Sequence, residues 1–527
     1  MSKPKRLPLP KTGLKGLQHH WREDLLAGFS IALIALPLSL GIAKASGFPP
    51  IAGLWTAIIG GLLVSRVKGG WMTINGPAAG LIVVMLGTLS GFPGLDDPTA
   101  KYQYALAAVV CSGGLVAVFG FLKLARYVEF FPLAVVNGML VAIGLIIMIK
   151  QFYEALGIHP ETDNIFLMLL YLPYSFHETV PEVALISLAA GLVLVLHPYL
   201  KGTFLRKVPA AVFLLAVCIP LEQYLDLYPD YRVRLPDEPL KGIVLPDFSQ
   251  ALNPNFFLSV VSIAFVVFIE TLLIASAVEK LDRHQRKSRL DREVFGNGLG
   301  SLASGLIGGL PMIAEIIRSS ANITYGAKTR WANFFHAVFL LLFVIFLAEF
   351  IQMIPLAALA VLLVAVGYSL GHPKKYTLAW RNGFSHFAIF LTTILGILAF
   401  GMLEGIVIGL LAYLVVNLLR GVPLRYFFNC NTELDKKGGV PILRVKNAAV
   451  FSNYLHLKRQ LENLRDQPEI VLDLRPAQTV DFTTIDHLRR YQLQASRQDR
   501  KVNIIGAKVR RSKAWQPEPG EESANLE

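Results

Sequence analysis

The chain has 527 residues, of which 54% are hydrophobic and only 17% are charged, and its mean hydropathy is +0.51. Because soluble domains are about one quarter charged, this composition excludes a large disordered chain and argues against an ordinary cytosolic enzyme. Apolar runs such as residues 256–274 are long enough to cross a bilayer. We therefore predict an α-helical polytopic membrane protein, in which the net charge of +13 reflects basic cytoplasmic loops and not nucleic-acid binding.

Residues 1–21 are rich in proline and lysine and are predicted to form a basic cytoplasmic tail. Apolar segments then follow one another through a transporter-like domain at residues 22–425. At about 20 residues per crossing they predict about fourteen spans, some of them short or broken. The predicted spans begin near Leu25, Ile51, Trp71, Ala105, Phe131, Val183, Pro209, Phe256, Val294, Pro311, Asn333, Pro355, Phe387 and Glu404.

The distribution of charge predicts the orientation of these spans. If the N-terminus is cytoplasmic, every even-numbered span ends in the cytoplasm, and the loops that follow those spans carry Lys and Arg. The loop after the eighth span has six basic residues between Lys280 and Arg292, whereas the long loops after the fifth and seventh spans are acidic. Since cytoplasmic loops collect basic residues, both termini are predicted to be cytoplasmic, and a bacterial inner membrane is the expected location.

Two broken segments indicate an internal repeat. Asn75-Gly76-Pro77 follows the start of the first span by about fifty residues, and Gly309-Leu310-Pro311 follows the start of the eighth span at nearly the same distance. Seven spans separate the two copies, and this odd number gives them opposite orientations. Such a seven-plus-seven inverted repeat is typical of secondary transporters, and paired segments interrupted by glycine or proline point to a binding site near the membrane midplane.

Each broken segment is interpreted as the start of a helix at its proline, because the missing N–H of proline is tolerated in the first turn. Backbone N–H groups and the positive end of the helix dipole would then face an anion between the two starts. Two ordinary helix kinks are the structural alternative. The candidate substrate-binding residues are Gly76, Pro77, Ala78, Ala79, Gly80, Met312, Ile313 and Ala314.

Two charged residues inside predicted spans extend this hypothesis. Glu270 is the only charge in residues 256–274, and a carboxylate buried in a membrane indicates function by default. We predict that it couples transport to a proton or Na⁺, with a structural carboxylate paired with an arginine or with backbone as the alternative. Arg318 is placed two turns into the tenth span, where it would attract the anion, unless it only pairs with Glu315 at i, i+3.

No metal ion or other cofactor is expected. Cys111, Cys218 and Cys430 are scattered and indicate neither a disulfide framework nor a metal site. The histidines do not have the spacing of a zinc protease, and the phosphate-binding loop of ATP-driven proteins does not occur.

A soluble region follows the last span. Residues Cys430–Gly439 are predicted to be a linker, residues 439–509 a small cytoplasmic α/β domain, and residues 510–527 a disordered tail. Strands are expected at Ile442–Val445, Ile470–Leu474 and Lys501–Ile505, and a helix at Tyr454–Leu464. A second helix is expected to begin at Phe482 with Asp481 as its N-cap.

The combination of these motifs strongly resembles the sulfate permease (SulP) family of inorganic anion transporters. The resemblance is carried by Ala35-Leu36-Pro37-Leu38, Ala45-Ser46-Gly47-Phe48-Pro49-Pro50, Gly53-Leu54-Trp55-Thr56-Ala57, Asn75-Gly76-Pro77-Ala78, Pro132 with Val136 and Gly138, Glu270-Thr271-Leu272-Leu273, Gly308-Gly309-Leu310-Pro311, and Arg318 with Gly326-Ala327-Lys328-Thr329. It implies core and gate domains, homodimers, a C-terminal STAS-like domain, substrate contacts at Pro37 and Leu38, and a regulatory hydroxyl at Thr483 or Thr484.

The chain departs from the family pattern at positions that bear on the transported ion. Leu38 replaces a polar residue that is often glutamine, Ile313 and Glu315 replace small or hydroxyl residues, and Glu270 replaces the aspartate of sodium-coupled bicarbonate relatives. The resemblance implies a secondary transporter, not an enzyme, that moves sulfate, bicarbonate or chloride by symport or exchange with an elevator-type motion. A passive anion channel, a scaffold that recruits a cytoplasmic partner, and a carrier of nucleobases or dicarboxylates remain as alternatives.

Overall fold

A computed structural model describes residues 9–91, 97–125, 132–160, 162, 164–199, 208–236, 243–284, 286–427, 429–435, 440–496 and 500–506. The helices are α1 (Gly13–Ala45), α2 (Pro50–Ile59), α3 (Ser65–Val67), α4 (Ile82–Ser90), α5 (Pro98–Phe121), α6 (Leu133–Ala155), α7 (Ile165–Ser175), α8 (Pro181–Leu196), α9 (Ala210–Leu225), α10 (Pro254–Leu281), α11 (Leu290–Leu306), α12 (Ile316–Thr324), α13 (Trp331–Phe346), α14 (Ala348–Gln352), α15 (Leu356–Leu370), α16 (Pro373–Arg381), α17 (Phe384–Phe400), α18 (Met402–Leu419), α19 (Tyr454–Glu462) and α20 (Phe482–Ser496). The strands are β1 (Ile74–Gly76), β2 (Ile313–Glu315), β3 (Asn431–Asp435), β4 (Ile442–Ala449), β5 (Glu469–Asp473), β6 (Ala477–Val480) and β7 (Lys501–Ile505).

The protein is a multi-pass membrane protein with a small α/β domain at its C-terminal end. Eight stretches of helix among the described residues are long and apolar enough to cross a membrane, and four shorter apolar helices accompany them. Each of the fourteen predicted spans corresponds to a helix, and α11 and the short α12 account for the two spans outside those sets. The predicted fold class is therefore confirmed.

The chain divides into two compact units. The first comprises residues 1–128, 140–371 and 398–403, and the second comprises residues 129–139, 372–397 and 404–527. Within the first unit, α5 packs closely on α11 because glycines remove side chains from both helices. A Cβ placed on Gly113 would lie 2.4 Å from the backbone nitrogen of Leu302, and one on Gly298 would lie 2.3 Å from that of Ala117.

The second unit contains a five-stranded sheet in the order β3-β4-β5-β7, with β6 paired to β4. Strands β4, β5 and β7 are parallel, whereas β3 runs antiparallel to β4. Their apolar side chains form a core with α19 and α20, which includes Val445, Leu457, Ile470, Leu472 and Leu488. This arrangement agrees with the predicted α/β domain.

Two predicted boundaries differ from the structure. The predicted linker Cys430–Gly439 contains β3, which the sequence conceals because its charged side chains lie on an exposed edge strand. The predicted N-terminal tail of residues 1–21 is partly helical, since α1 begins at Gly13 and changes direction at His20, whose backbone is not helical. The predicted tail at residues 510–527 and the end of the 439–509 domain lie outside the described residues.

Candidate functional site

The two broken segments meet in the first unit. Strands β1 and β2 pair antiparallel, with Asn75 opposite Ala314 and Gly76 opposite Ile313. After β1, Ala78 is extended and a 3₁₀ turn at Ala79–Leu81 leads into α4, whereas α12 starts directly after β2. The prediction that both helices start at their prolines is therefore wrong, because the residues around the prolines form extended backbone and a two-stranded ladder instead.

Hydroxyl side chains fix the segment that enters β2. The Leu310 backbone N–H donates to Thr56 Oγ1 over 2.7 Å, and the Met312 N–H donates to Ser301 Oγ over 2.9 Å. Ser304 Oγ donates in turn to Thr56 Oγ1 over 3.0 Å. These bonds satisfy buried backbone groups outside regular structure. The sequence did not indicate this role for any of the three hydroxyls, although Thr56 belongs to a stretch that carries the family resemblance.

A second network fixes β1 through the amide of Asn75. Its Oδ1 accepts from Lys68 Nζ at 3.1 Å and from Asn333 Nδ2 at 3.2 Å, and its Nδ2 donates to Asn297 Oδ1 at 2.8 Å and Glu293 Oε1 at 3.2 Å. All five side chains are at most 1% exposed. The amide thus makes all four of its hydrogen bonds, and it anchors β1 rigidly to α11 and α13.

Glu270 lies on α10, which packs against α4, α12, β2 and the 3₁₀ turn. The residue is 2% exposed. A Cβ placed on Gly80 would lie 2.0 Å from Glu270 Oε1 and 2.2 Å from Oε2, so the carboxylate contacts the backbone where the first broken segment becomes helical. No ion pair joins Glu270 to a basic side chain in the described part of the chain, and its role in coupling stays a prediction.

Arg318 is fully buried on α12 and borders β1. None of its three side-chain nitrogens has a hydrogen-bond partner among the residues that the structure describes. A Cβ on Gly76 would lie 2.7 Å from Arg318 Nη1. The sequence placed Arg318 two turns into the tenth span. That position is wrong, because α12 begins at Ile316 and Arg318 therefore lies in its first turn. A buried guanidinium with free donors is suited to an anion.

Glu315 caps the same helix. Its carboxylate accepts from the backbone N–H of Ile317 at 3.2 Å and from that of Arg318 at 2.6 Å. Its Oε2 lies 3.9 Å from Arg318 Nε, so the predicted i, i+3 pairing is present as a long contact. The site therefore combines two buried carboxylates with one buried guanidinium.

A sequence profile described as "Sulfate permease family" matches residues 21–393. The chain belongs to the sulfate permease family. It is similar to the bicarbonate transporter BicA of Picosynechococcus sp., with 24% identity over 92% of this chain and 88% of that protein. Sulfate transporter 1.3 of Arabidopsis thaliana is 22% identical over 94% of this chain and 81% of that protein.

A solved structure with the same fold extends across both units of the chain. The murine Solute Carrier 26 family member A9 anion transporter in the inward-facing state matches with a TM-score of 0.67 and 16% identity. The match covers 93% of this chain and 86% of that structure. The C-terminal α/β region fits the STAS-like domain that the sequence predicted in this sulfate permease family member.

The remaining predicted site residues have the following positions. Pro37 and Leu38 are buried in α1, which packs against α4 and α12. Ala78 is buried directly before the 3₁₀ turn and Ala79 is buried at its start. Ile313 and Ala314 are buried in β2, and Met312 is buried directly before it, so none of the three is helical. A role for any of them in substrate binding stays a prediction. No group of three His, Cys, Asp or Glu side chains suited to a metal ion occurs among the described residues.

The candidate regulatory threonines lie in the second unit. Thr483 and Thr484 are 3% and 0% exposed in the first turn of α20, and Thr483 Oγ1 accepts from the Leu133 N–H at 3.3 Å. Asp481 caps α20 as predicted, with 2.7 Å from its Oδ1 to the Thr484 nitrogen. Tyr413 Oη, on α18, also donates to Asp481 over 2.5 Å. Burial raises the pKa of Asp481, while these hydrogen bonds oppose the increase. Phosphorylation at either threonine stays a prediction.

Proposed function

We propose that the protein is a secondary active transporter of a small inorganic anion of the sulfate, bicarbonate or chloride class. The observation that carries this proposal is the fully buried Arg318, whose guanidinium lacks hydrogen-bond partners in the described chain and borders the crossing of β1 and β2. The printed names of the relatives, a bicarbonate transporter, a sulfate transporter and an anion transporter, support the same class of substrate.

Glu270 is the group that couples transport to a cation in this proposal. Its carboxylate lies against Gly80, at the start of the first broken segment, and an incoming anion at that position would meet a like charge. A proton or Na⁺ bound at Glu270 removes this repulsion, so anion and cation bind together. Exchange of one anion for another is the second mode that this arrangement allows, since exchange needs no net cation movement.

The family resemblance supports the further parts of the proposal. These are an elevator-type alternating-access motion, a homodimer in the bacterial inner membrane, cytoplasmic termini, and a STAS-like domain that binds a cytoplasmic partner. No cofactor other than the coupling proton or Na⁺ takes part.

Uptake into proteoliposomes tests the proposal. Radiolabelled sulfate, bicarbonate and chloride are offered with an imposed proton gradient, an imposed Na⁺ gradient, or neither. A carrier concentrates its anion above the external concentration when the coupling gradient is present, whereas a channel only equilibrates it. Equilibration without accumulation under every gradient, and without exchange, would favour the channel alternative.

The Ala79→Leu variant tests the position of the site. Ala79 is 7% exposed at the start of the 3₁₀ turn, so a leucine side chain there fills the space beside the crossing. We expect uptake to be lost while the variant keeps the elution volume and helical circular dichroism of the wild type. Normal uptake by a folded Ala79→Leu protein would remove this position from the proposed site.

A further inference from the structure

The start of α12 is already occupied by a negative charge from the chain itself. An anion bound at a helix start uses the free N–H groups of the first turn. In α12, a helix of nine residues, the N–H groups of Ile317 and Arg318 instead donate to the Glu315 carboxylate. The carboxylate is therefore placed where the proposed function puts a substrate anion.

The charged groups around Glu315 make this arrangement costly for an added anion. Arg318 is the basic side chain beside it, with 3.9 Å between Nε and Oε2. From α10, which packs against β2, Glu270 adds a second carboxylate to the same region. The neighbour in β1 is Ile74, which is uncharged. On α1, Asp24 is engaged elsewhere by hydrogen bonds from Lys328 and Thr329.

The formal charge of this group is negative before any substrate arrives. Two carboxylates and one guanidinium sum to −1, and a bound sulfate would bring two further negative charges. His336 on α13 is also fully buried within electrostatic range of Arg318, but it is a cation only when protonated. An anion therefore binds favourably only when at least one carboxylate loses its charge or moves away.

We propose that Glu315 is a built-in competitor for the substrate anion at the start of α12, and that its protonation releases the position. The proposal rests on the proposed function and deepens it, since Glu315 then joins Glu270 as a proton-binding group and determines the pH range of transport. Once protonated, the Glu315 side chain is uncharged and accepts more weakly from the two backbone N–H groups. The guanidinium of Arg318 then becomes available to the anion. For each anion that binds there, the protein takes up one proton at the Glu315 carboxylate.

This competition predicts a particular pH dependence. If only the protonated form admits the anion, the apparent affinity is the intrinsic affinity multiplied by the protonated fraction. The apparent KM then increases as the pH rises, by up to about tenfold for each pH unit. If Glu315 only caps the helix, its replacement changes the stability of the protein and leaves the dependence of KM on pH unaltered.

The Glu315→Gln variant separates the two roles. Its one amide oxygen can still accept from the N–H of Arg318 or of Ile317, so part of the cap is retained while the charge is removed. Uptake of radiolabelled sulfate and chloride is measured from pH 5.5 to 8.5 with the same pH on both sides, because neither probe changes charge in this range. Unlabelled bicarbonate serves as a competitor, with its ionic concentration calculated at each pH. We expect the wild-type KM to increase at least tenfold with pH. When both proteins carry Glu270→Gln, which removes the other proton-binding group of the proposal, we expect the added Glu315→Gln change to reduce this increase to less than threefold.

Direct proton counting keeps the proposal testable if that variant does not fold. Sulfate, chloride and bicarbonate are first each added to Glu270→Gln protein in detergent, and the anion that raises the midpoint of thermal unfolding most is chosen. Proton uptake is then measured when this anion is added to the same protein in weak buffer. We expect proton uptake that accompanies binding, because Glu315 remains in this protein. Anion binding without proton uptake would overturn the proposal, as would a Glu315→Gln protein with the wild-type KM and pH profile.

The outcomes also distinguish this proposal from the proposed function. If Ala79→Leu blocks uptake but Glu315→Gln keeps the wild-type pH profile, the anion site stands and only the competition fails. If Ala79→Leu transports normally, or if none of the three anions stabilises the protein, the anion site itself is wrong and the competition falls with it.

Discussion

Gly80→Ala tests the contact between Glu270 and the start of the first broken segment. The added Cβ would lie 2.0, 2.2 and 2.4 Å from three atoms of the Glu270 carboxyl group. Real Cβ contacts begin above 3 Å, so the carboxyl group or the 3₁₀ turn has to move by about 1 Å. The variant therefore displaces the proposed coupling group without altering any charge.

The expected magnitude follows from the cost of overpacking. Adding a methyl group to a well-packed position costs about 1–3 kcal/mol. If this cost falls on the coupled state, it corresponds to a decrease of roughly 5-fold to 150-fold in gradient-driven uptake. Shortening the acid with Glu270→Asp withdraws the carboxyl group by about one bond length, ~1.5 Å. We therefore expect the Gly80→Ala, Glu270→Asp double variant to recover part of the uptake.

The matched control is Gly87→Ala on α4, the helix that follows the same turn, because no described atom outside its own helix backbone lies within 4 Å of a Cβ placed there. Both variants receive the same methyl group, and only one of them meets Glu270. The assay is proteoliposome accumulation of the transported anion under a fixed proton or Na⁺ gradient, normalised to folded protein. If Gly80→Ala accumulates anion as well as Gly87→Ala does, the carboxylate does not lie against this turn in the transporting protein.

Two further predictions concern titratable groups. Glu270→Gln imitates the protonated acid, so we expect gradient-driven accumulation to decrease, since only the proton at Glu315 still accompanies the anion, while anion exchange persists. The measurement is uptake against external pH at fixed Na⁺. Accumulation with a wild-type pH profile would contradict the coupling role, and a loss that follows Na⁺ would change the coupled ion. In the STAS-like domain, burial lowers the pKa of His487 to about 4 from its ordinary value of 6.5. The unfolded chain therefore binds a proton at this histidine before the folded protein does. As the pH falls from 6.5 towards 4, the free energy of unfolding decreases by at most about 1.4 kcal/mol per pH unit. Thermal unfolding of wild type and His487→Gln at pH 5 and 7 checks this, and equal midpoint shifts would exclude the histidine as the cause.

Much of the fold is contained in local sequence patterns. Spans of suitable length have to be helical in a bilayer, because their backbone groups can be satisfied only within the helix. The apolar segments beginning near Phe256 and Phe387 therefore predicted α10 and α17 directly. Strand β3 was missed because Asn431–Asp435 is polar and forms a strand only through its pairing with β4. Edge pairing of this kind depends on a partner distant in sequence, which periodicity does not reveal.

The meeting of the two broken segments was predictable in its location but not in its detail. Proline and glycine at matching places in the two halves located the crossing of β1 and β2. The helix starts were displaced because the ladder between Asn75-Gly76 and Ile313-Ala314 satisfies backbone groups that a helix would otherwise use. Likewise, the sequence did not predict the contacts of Lys68 and Glu293 with the amide of Asn75, because only the fold brings these side chains together.

The inverted repeat explains why carboxylates recur at both broken segments. Each half supplies one short helix, and the positive end of each short helix attracts a negative group. In this chain Glu270 lies against the turn before α4, and Glu315 caps α12. Arg318 balances only one of them, so a substrate anion adds to an existing negative charge unless cations arrive with it. A hydroxyl residue in place of Glu315 would leave the α12 donors open to the anion at every pH. In our proposal, an acid in place of a small or hydroxyl residue at this position therefore changes the conditions under which the anion binds, and not the class of ion.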